Sequence, residues 1–443
     1  MGQTSVHTRS RSEIWQGFEA TERREVGTVI VSTLQSQSTS ALLLLLLSLL
    51  ALRVTGSPAS APLVVAVGAL PALLLVRAVR IVNQLVDHRW VMLLSDAGAF
   101  VVAVTLWQLV RAGGVHVWQI YAGMFLFAAF GAFYLPAMRG WVAGQTTGLE
   151  QLTWLNAMLA VATQAAVVVG WALGGVLASS IGIQVSLGLC ALSYAVGLVL
   201  QFVVFVVINR ASFRKPAGPP GTAASGAAEP HAAAADRASA ITGVWRDVFA
   251  PRRLGLFTAA LLLMELTHTL GFSMFVPLLT GGAADRSWIA GTANACFALA
   301  AMISGVLVSG GALGQWTRAR APQVVLVGFC VQIVFGLNAA HPVWAIGLYA
   351  VVGLLSGGDA ALQSEVQDRW RPAGSAQAFA VFGAVQGPAQ LVGSLAVAAL
   401  LTCLSVGTVY LGTVAVLGLG SGLVLMLARA RAEAPPPRVE APV

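Results

Sequence analysis

The chain is 443 residues long, 57% hydrophobic and only 9% charged. An ordinary soluble protein carries about 25% charged residues, so a soluble globule is excluded, and the high hydrophobicity excludes a disordered chain. The net charge of +8 would suit a nucleic-acid partner in a soluble protein, but membrane proteins collect Arg and Lys in their cytoplasmic loops. The four Cys form no disulfide or metal motif, so we interpret them as buried reduced thiols and expect no metal and no cofactor.

Twelve continuous apolar runs follow one another along the chain. Each is long enough to cross a bilayer as a helix of about 20 residues, whereas the strands of a transmembrane barrel would alternate in segments of about 10 residues. The sequence therefore predicts an all-α membrane protein with twelve transmembrane helices. The predicted spans are 26–53, 60–82, 91–111, 116–138, 152–179, 182–208, 254–280, 287–313, 321–340, 342–363, 374–401 and 404–428.

The basic residues predict how these helices are oriented. If the N-terminus is cytoplasmic, only Arg53, Arg111 and Arg286 of the 25 Lys and Arg residues fall on the external side. Odd and even loops agree along the whole chain, so the helix count and the orientation support each other. We expect a multi-pass protein of the cytoplasmic membrane with both termini in the cytoplasm.

The longest polar stretch, residues 209–253, divides the chain into two groups of six helices. Its Pro-, Gly- and Ala-rich composition cannot bury a core, which predicts a flexible cytoplasmic linker. The predicted halves are 26–208 and 254–428, flanked by cytoplasmic tails at 1–25 and 429–443. Two such halves are typical of proteins that rock about a site near the bilayer midplane.

Two cytoplasmic segments combine aromatic and basic residues. Near the N-terminus, Ile14, Trp15 and Phe18 suit a short amphipathic helix on the inner leaflet, although a solvated tail fits equally well. At the end of the linker, Trp245 and Phe249 with neighbouring Arg residues suggest a second amphipathic helix.

A short internal repeat supports the division into halves. An aliphatic residue, a Gln two positions later and a following Arg occur after the second predicted helix, around Gln84, and again after the eighth, around Gln315. Both segments are predicted cytoplasmic turns at equivalent positions of the two halves.

Short stretches in a fixed order then point to one family of membrane proteins. They are Leu52–Pro58, Leu93–Asp96, Phe130–Ala137, Glu150–Asn156, Gly170–Gly175, Ala378–Ala380 and Gly387–Pro388. Over about residues 26–428 the chain resembles the major facilitator superfamily, and more narrowly its macrolide-efflux and enterobactin-exporter-like branch. The resemblance implies secondary transport by alternating access, with export of a small organic molecule.

The chain departs from the family pattern in the loop motif G-x-L-x-D-R-x-G-R-R. Arg80 takes the place of its Gly, and Gln84 and, in the second repeat, Gln315 take the place of its Asp. Gln keeps a hydrogen bond but not the charge that would interact with a helix N-terminus and with Arg. With Asp96 and Asp359, which lie near the cytoplasmic ends of the third and tenth helices, these residues are candidates for an inner gate.

The exporter motif of the fifth helix, G-P-x-x-G-G, is also altered. Trp171 replaces its Pro, while Gly170, Gly174 and Gly175 remain. Small residues let helices approach closely in a membrane, so these three glycines are predicted helix-packing positions. The scaffold is therefore kept while the gating chemistry differs, which leaves proton antiport by the usual network open.

Ionisable groups inside the bilayer are candidates for function. Glu265 lies about 11 residues into the seventh predicted helix, near the midplane, and His268 shares its face three residues on. Such a pair can bind and release a proton as access alternates, so we interpret it as a proton-coupling site. The alternative is a Glu that only holds structure through a hydrogen bond to a neighbouring helix.

The inner half of the first helix is unusually polar. Such a face must meet protein or water, so we predict a cavity wall there, with interhelical hydrogen bonding as the alternative. Uncharged polar residues of three other helices add further candidates. The cavity-lining candidates are Ser32, Gln35, Ser36, Thr39, Gln164, Asn294 and Gln386.

No enzyme signature is found, including a phosphate-binding Gly-rich loop with Lys, so we expect no enzyme and no ATP-driven pump. The sequence predicts a transporter, a monomer in membrane lipid, that exports a small amphiphilic molecule such as an antibiotic, siderophore or secondary metabolite. We expect the proton as its coupling ion and no nucleic acid as a partner. Two alternatives stay open: an importer or facilitator on the same fold, and a membrane receptor or scaffold that transports nothing.

Overall fold

A computed structural model describes residues 15, 18–146, 149–208, 255–308, 315–317, 319–358 and 375–433. Each of the twelve predicted spans contains a helix within these ranges, which confirms the all-α class. The helices are α1 (Ala20–Thr55), α2 (Ser60–Leu74), α3 (Val76–Leu85), α4 (His88–Arg111), α5 (Val117–Gln145), α6 (Leu149–Ser180), α7 (Gly182–Phe202), α8 (Gly255–Thr280), α9 (Ser287–Val308), α10 (Ala321–Leu337), α11 (Pro342–Leu355), α12 (Ser375–Leu400), α13 (Val406–Thr413) and α14 (Gly420–Glu433).

The predicted spans differ in the length of the helices that they contain. Among the described residues, eight helical segments are long and apolar enough to span a bilayer, and the bent pair α2 and α3 makes a ninth. The three remaining predicted spans coincide with shorter apolar helices, namely α10, α11 and Val385–Leu400 within α12. The linker 209–253, Asp359 and the amphipathic segment at Trp245 lie outside the described residues.

The first helix begins six residues before its predicted start. Glu19 and Glu22 form a reciprocal capping box, in which each carboxylate accepts a backbone N–H of the other residue. The helix ends at Gly56, whose φ of 65° is a left-handed conformation that favours glycine. At 36 residues it is roughly 54 Å long, which exceeds the hydrocarbon thickness of about 30 Å.

The second predicted span is a bent pair. The axes of α2 and α3 differ by 55° at Leu75, whose ψ of 3° leaves the helical region. Pro71, one turn earlier, has no N–H to donate and so weakens the hydrogen bonding there. Because α3 buries none of its residues and carries Arg77 and Arg80, it lies on the surface of the bundle.

Two segments wind more widely than an α-helix. The π-helical turn Val203–Ile208 continues α7, and the π-helical turn Val414–Leu419 joins α13 to α14. These are the sixth and twelfth predicted spans, the last of each half. Such turns insert one extra residue per turn and frequently occur at functional sites.

The chain forms two compact units. The first unit consists of Met1–Ala224 with Gly282–Ala295, and the second of Ser225–Gly281 with Cys296–Val443. In the first unit α1 packs on α6 and α7, and α4 packs on α5 and α7. In the second unit α10 packs on α11, and α8 on α14 and α12. The first turns of α9 thus group with the first unit, and the predicted domain boundaries stay a prediction.

The N-terminal aromatic residues pack on the first unit. The ring centroids of Trp15 and Phe18 lie 5.6 and 6.2 Å from that of Trp154 in α6. Phe18 is buried in the same apolar cluster as Trp141 and Leu155. Because the Phe18 side chain is buried against protein, it is not solvated. Nor does it contact the inner leaflet, which was the other prediction for this segment.

The cysteines are free but not all buried. Cys190 is buried, Cys296 is half-buried, and Cys330 and Cys403 are exposed. The prediction of four buried thiols was therefore wrong for two of them. Cys330 lies in α10, where an outward side chain faces hydrocarbon, so hydropathy alone does not separate core from lipid-facing positions. Cys403 lies in the turn between α12 and α13.

The three glycines of α6 line two helix contacts in the first unit. A Cβ on Gly170 would meet the backbone oxygen of Ser38, and one on Gly174 would lie 3.0 Å from side-chain atoms of Leu42 and Leu45. A Cβ on Gly175 would lie 2.7 Å from the Cα of Gly291 in α9. Backbone atoms cannot move aside as a flexible side chain can, so Gly170 and Gly175 admit no larger residue.

The first prediction concerns Gly170. We expect Gly170→Ala to destabilise the protein by roughly 1–3 kcal/mol, because the added methyl overpacks α6 against the α1 backbone. The measurement is the midpoint of thermal unfolding in detergent micelles. Gly131→Ala is the matched control, since nothing lies within 4 Å of a Cβ at that helical glycine. Equal midpoints for the two variants would contradict the close contact.

Candidate functional site

A buried carboxyl group lies between three helices of the first unit. Asp96 is in α4, about 12 Å along the axis from its first residue, and is 5% exposed. The hydroxyl of Ser36 in α1 donates to its Oδ1 over 3.1 Å. The Nε2 of Gln201 in α7 donates to its Oδ2. The group therefore joins α1, α4 and α7 through its two oxygens.

Asp96 has hydrogen-bond donors but no counter-charge. Among the described residues, no basic side chain forms an ion pair with it. A carboxylate without a cation is costly inside a membrane, whereas a neutral carboxylic acid is far less so. The site therefore has the features of a group that changes its protonation state.

The Gln201 side chain can serve either protonation state. Its Oε1 is buried and has no hydrogen-bond partner in the part of the chain that the structure describes, while its Nε2 donates to Asp96. An amide carries donors on nitrogen and an acceptor on oxygen. Turned over, it would accept a hydrogen bond from a protonated Asp96 instead of donating one.

A buried ion pair lies near the first residues of α1 and α4. The guanidinium of Arg89 is 2.8 Å from the carboxylate of Glu25, and both side chains are at most 10% exposed. Arg89 is about 10 Å from Asp96 along α4, and Asp87 caps the same helix by accepting from the Arg89 N–H. This pair fixes the start of α1 against the start of α4.

Further polar contacts join α1 to α7. Gln35 donates to the Ser193 carbonyl over 2.8 Å and to its hydroxyl over 2.7 Å. The hydroxyls of Thr39 and Ser193 are 2.7 Å apart. Of the predicted cavity residues in α1, Ser32, Ser36 and Thr39 are buried. These contacts favour interhelical hydrogen bonding, the alternative left open by the sequence, over an open cavity wall.

The remaining cavity candidates are scattered. Gln164 in α6 is exposed, Asn294 in α9 is buried and Gln386 in α12 is half-buried. Each unit contributes to this set, and the hydrogen bonds described above include none of the three. Their role as cavity residues stays a prediction.

The predicted coupling pair lies in the second unit. Glu265 and His268 are half-buried near the middle of α8, on the same face of the helix as predicted. The imidazole of His268 stacks on Phe329 of α10, with ring centroids 5.6 Å apart. It also borders a small cavity together with the buried amide of Gln332. His268 thus packs against α10 and has a polar neighbour there.

The predicted inner-gate residues lie on separate elements of the two units. Arg80 and Gln84 are exposed on α3, and Gln315 is exposed in the short helical segment 315–317. Asp96 is buried in the bundle and makes its hydrogen bonds to α1 and α7 instead. The inner-gate role of these residues stays a prediction.

Three residues of the site were missed at the level of sequence. Glu25 and Arg89 lie just outside the predicted spans and counted as loop charges, although the helices extend far enough to bury both. Gln201 was detectable, because it is a polar residue within the apolar run 182–208. Its partner Asp96 is 105 residues away, so only the folded chain shows the pair.

Comparison with known proteins shows the family. The profile of the Major Facilitator Superfamily matches residues 28–394. The chain belongs to this superfamily. This superfamily consists of membrane transport proteins.

Curated relatives match part of the chain. The lysophospholipid transporter LplT of Yersinia enterocolitica is 29% identical over 246 residues, which are 54% of this chain and 54% of the relative. The protein of the same name from Yersinia pestis is 28% identical over the same shares. The chain thus matches about half the length of these relatives.

Solved structures share the fold over nearly the whole chain. A bacterial homologue of the human lysosomal transporter Spinster has a TM-score of 0.66 at 12% identity and covers 94% of this chain and 97% of its own. The nucleoside transporter NupG has a TM-score of 0.64 at 11% identity, covering 94% and 100%. A peptide transporter of the POT type has a TM-score of 0.62 at 13% identity, covering 96% and 99%.

The second prediction concerns the buried ion pair. Glu25→Gln should destabilise the protein by about 3–5 kcal/mol, because the Arg89 guanidinium stays buried without its carboxylate. The double variant Glu25→Leu/Arg89→Leu should be less destabilised, since no charge is left inside. Denaturant unfolding in detergent micelles measures both. A double variant at least as unstable as Glu25→Gln would show that the ion pair itself supplies the stability.

Proposed function

We propose that the protein is a secondary active transporter that exports a small amphiphilic organic molecule across the cytoplasmic membrane in exchange for protons. Asp96 is the observation that carries the proposal: a buried carboxyl group hydrogen-bonded to α1 and α7 with no ion-pair partner among the described residues. A group of this kind stores a proton where neither water nor a counter-ion competes. The narrower assignment to the macrolide-efflux and enterobactin-exporter-like branch belongs to the same proposal.

The proposed coupling step is a change in the hydrogen bonds of Asp96. As a carboxylate it accepts from Ser36 and Gln201, which ties α1, α4 and α7 together. As a neutral acid it loses one acceptor oxygen and gains a donor, so the Gln201 amide turns over to accept. Protonation thereby changes how three helices are joined, which is what a transporter needs to link a proton to alternating access.

The proposed substrate class has two supports. The curated relatives are lysophospholipid transporters by name, and a lysophospholipid has a polar head and a single apolar chain. The exporter branch named from the sequence motifs also implies amphiphilic cargo. An antibiotic, a siderophore or another secondary metabolite with both characters fits the same description.

Glu265 is the second carboxyl group in the proposed cycle. It is half-buried with His268 in α8 of the second unit, so it is more accessible than Asp96. A partly accessible carboxyl can exchange protons with water, while a buried one holds them. The two groups are therefore assigned different tasks, exchange to Glu265 and helix coupling to Asp96.

The third prediction tests Asp96. The assay uses proteoliposomes with an imposed pH gradient and a fluorescent lysophospholipid. In Asp96→Asn the gradient-driven flux should fall by about 100-fold or more, and the accompanying proton movement should disappear. The reason is that an amide of the same shape cannot titrate. Lysophospholipid flux and a lumenal pH dye are read together, with the gradient imposed in both directions to give the direction of transport. Asp285→Asn, a change at an exposed loop acid, is the matched control. Full gradient dependence in Asp96→Asn would overturn the coupling assignment.

The fourth prediction separates the two carboxyl groups. Glu265→Gln should slow proton-coupled flux but preserve exchange of labelled for unlabelled lysophospholipid at equal pH, because exchange requires no net proton transfer. The measurement compares gradient-driven flux with equilibrium exchange in the same vesicles. If Glu265→Gln abolishes exchange as well, the residue acts in substrate binding or in folding, and not in proton exchange.

A further inference from the structure

A groove lies at one end of the second unit, where α9 and α11 end and α10 begins. It encloses about 360 Å³, which is within the range of pockets that hold small molecules. Leu307 of α9, Val327 of α10 and Leu354 of α11 line it, and each is about half exposed. The aliphatic side of the groove is therefore accessible from outside these helices.

The polarity of the groove changes along its length. Arg320 and Trp316 line one end, and Val327 lies seven residues further along α10, roughly 10 Å away. The Arg320 guanidinium carbon stands 5.1 Å from the centroid of the Trp316 ring. The groove is thus polar and aromatic at one end and aliphatic at the other, as an amphiphile is.

The polar end is positively charged. Arg320 immediately precedes the first turn of α10, where the helix dipole also favours an anion. Arg429 lies beside it, since its Nη1 donates to the Ala319 carbonyl over 2.7 Å. The described residues that line the groove include no acid, and within the same described part of the chain Arg320 forms no ion pair.

We propose that this groove binds one anionic phospholipid of the surrounding bilayer. Its phosphate lies on the guanidinium of Arg320, and one acyl chain runs along Leu307, Val327 and Leu354. The predicted topology places this end of α9, α10 and α11 on the cytoplasmic side, where bilayers carry their anionic lipids and where basic pockets between helices bind lipid head groups. The site is independent of the transported molecule and of the carboxyl groups.

The occupant follows from the two ends of the groove together. A free phosphate ion would use Arg320 but leave the aliphatic half in contact with nothing. A zwitterionic lipid would fill the aliphatic half but bring a cation to the end of the groove that already holds the Arg320 guanidinium. A lipid with net negative charge satisfies both ends.

The fifth prediction tests the lipid site by native mass spectrometry of the purified full-length chain in detergent. The chain is titrated with phosphatidylglycerol or with phosphatidylcholine of the same acyl chains. Arg320→Gln should lower the affinity of the tightest phosphatidylglycerol site roughly five-fold, because one Arg contact is lost. Phosphatidylcholine binding should be unchanged. Arg320→Lys keeps the charge and should retain most of the affinity.

Arg111→Gln is the matched control. Arg111 also stands over a Trp ring, at 5.9 Å from the centroid of Trp107, but it lies at the end of α4 and does not line this groove. This variant should keep the wild-type affinity for phosphatidylglycerol. An equal loss in Arg111→Gln and Arg320→Gln would overturn the proposal, because it would reflect general surface charge.

Two further measurements address the apolar half. Val327→Trp fills the groove and should weaken phosphatidylglycerol binding. Thermal unfolding shows whether this variant is still folded. If it fails to fold, Arg320→Gln alone decides. Soluble glycerol phosphate should compete at least 100-fold less well than phosphatidylglycerol. Competition at equal concentration would overturn the lipid assignment in favour of a free phosphate site.

Discussion

A carboxyl group buried inside a membrane bundle must find hydrogen bonds there, and the packing of the first unit depends on how Asp96 does so. Its two oxygens accept from α1 and from α7 while its own backbone belongs to α4. These are the helices between which Gln35, Thr39 and Ser193 add further hydrogen bonds. Gln35, Ser36 and Thr39, three of the polar residues that make the first helix unusual in sequence, thus form hydrogen bonds to neighbouring helices.

The same requirement for partners explains why the first unit contains two kinds of buried acid, one in an ion pair and one with neutral partners. Close to the start of α1 and α4, a full ion pair between Glu25 and Arg89 is buried with both partners matched. Deeper in α4 the single acid Asp96 has only neutral partners. Matched charges hold a fixed geometry, whereas an unmatched acid makes the geometry depend on its proton. The ion pair at Arg89 and the unpaired acid Asp96 are therefore about two helical turns apart on α4.

Most of the architecture was predictable from the sequence because it depends on local composition. A run of about 20 apolar residues is read without knowing its neighbours, and so each predicted span contains a helix. The bend at Leu75 and the early start of α1 at Glu19 and Glu22 come from Pro and capping patterns that are also local. By contrast, Asp96 and Gln201 are 105 residues apart, and no local pattern assigns Ser36 to the same cluster. Exposure toward lipid, as at Cys330, is equally invisible to hydropathy, since lipid and protein interior are both apolar.

The π-helical turn at Val203–Ile208 has a consequence for this cluster. It begins two residues after Gln201, the amide that joins α7 to Asp96. A π-helical turn contains one extra residue, which shifts the hydrogen-bond register of the helix at that turn. Such a turn can move along a helix while the backbone hydrogen bonds on either side remain intact. Displacing it past position 201 would turn that side chain by about 100° around the helix axis, one residue's share of a turn. The amide would then leave Asp96 while most of α7 keeps its place, so the helix contains the means to uncouple this contact by a screw-like shift rather than by unfolding.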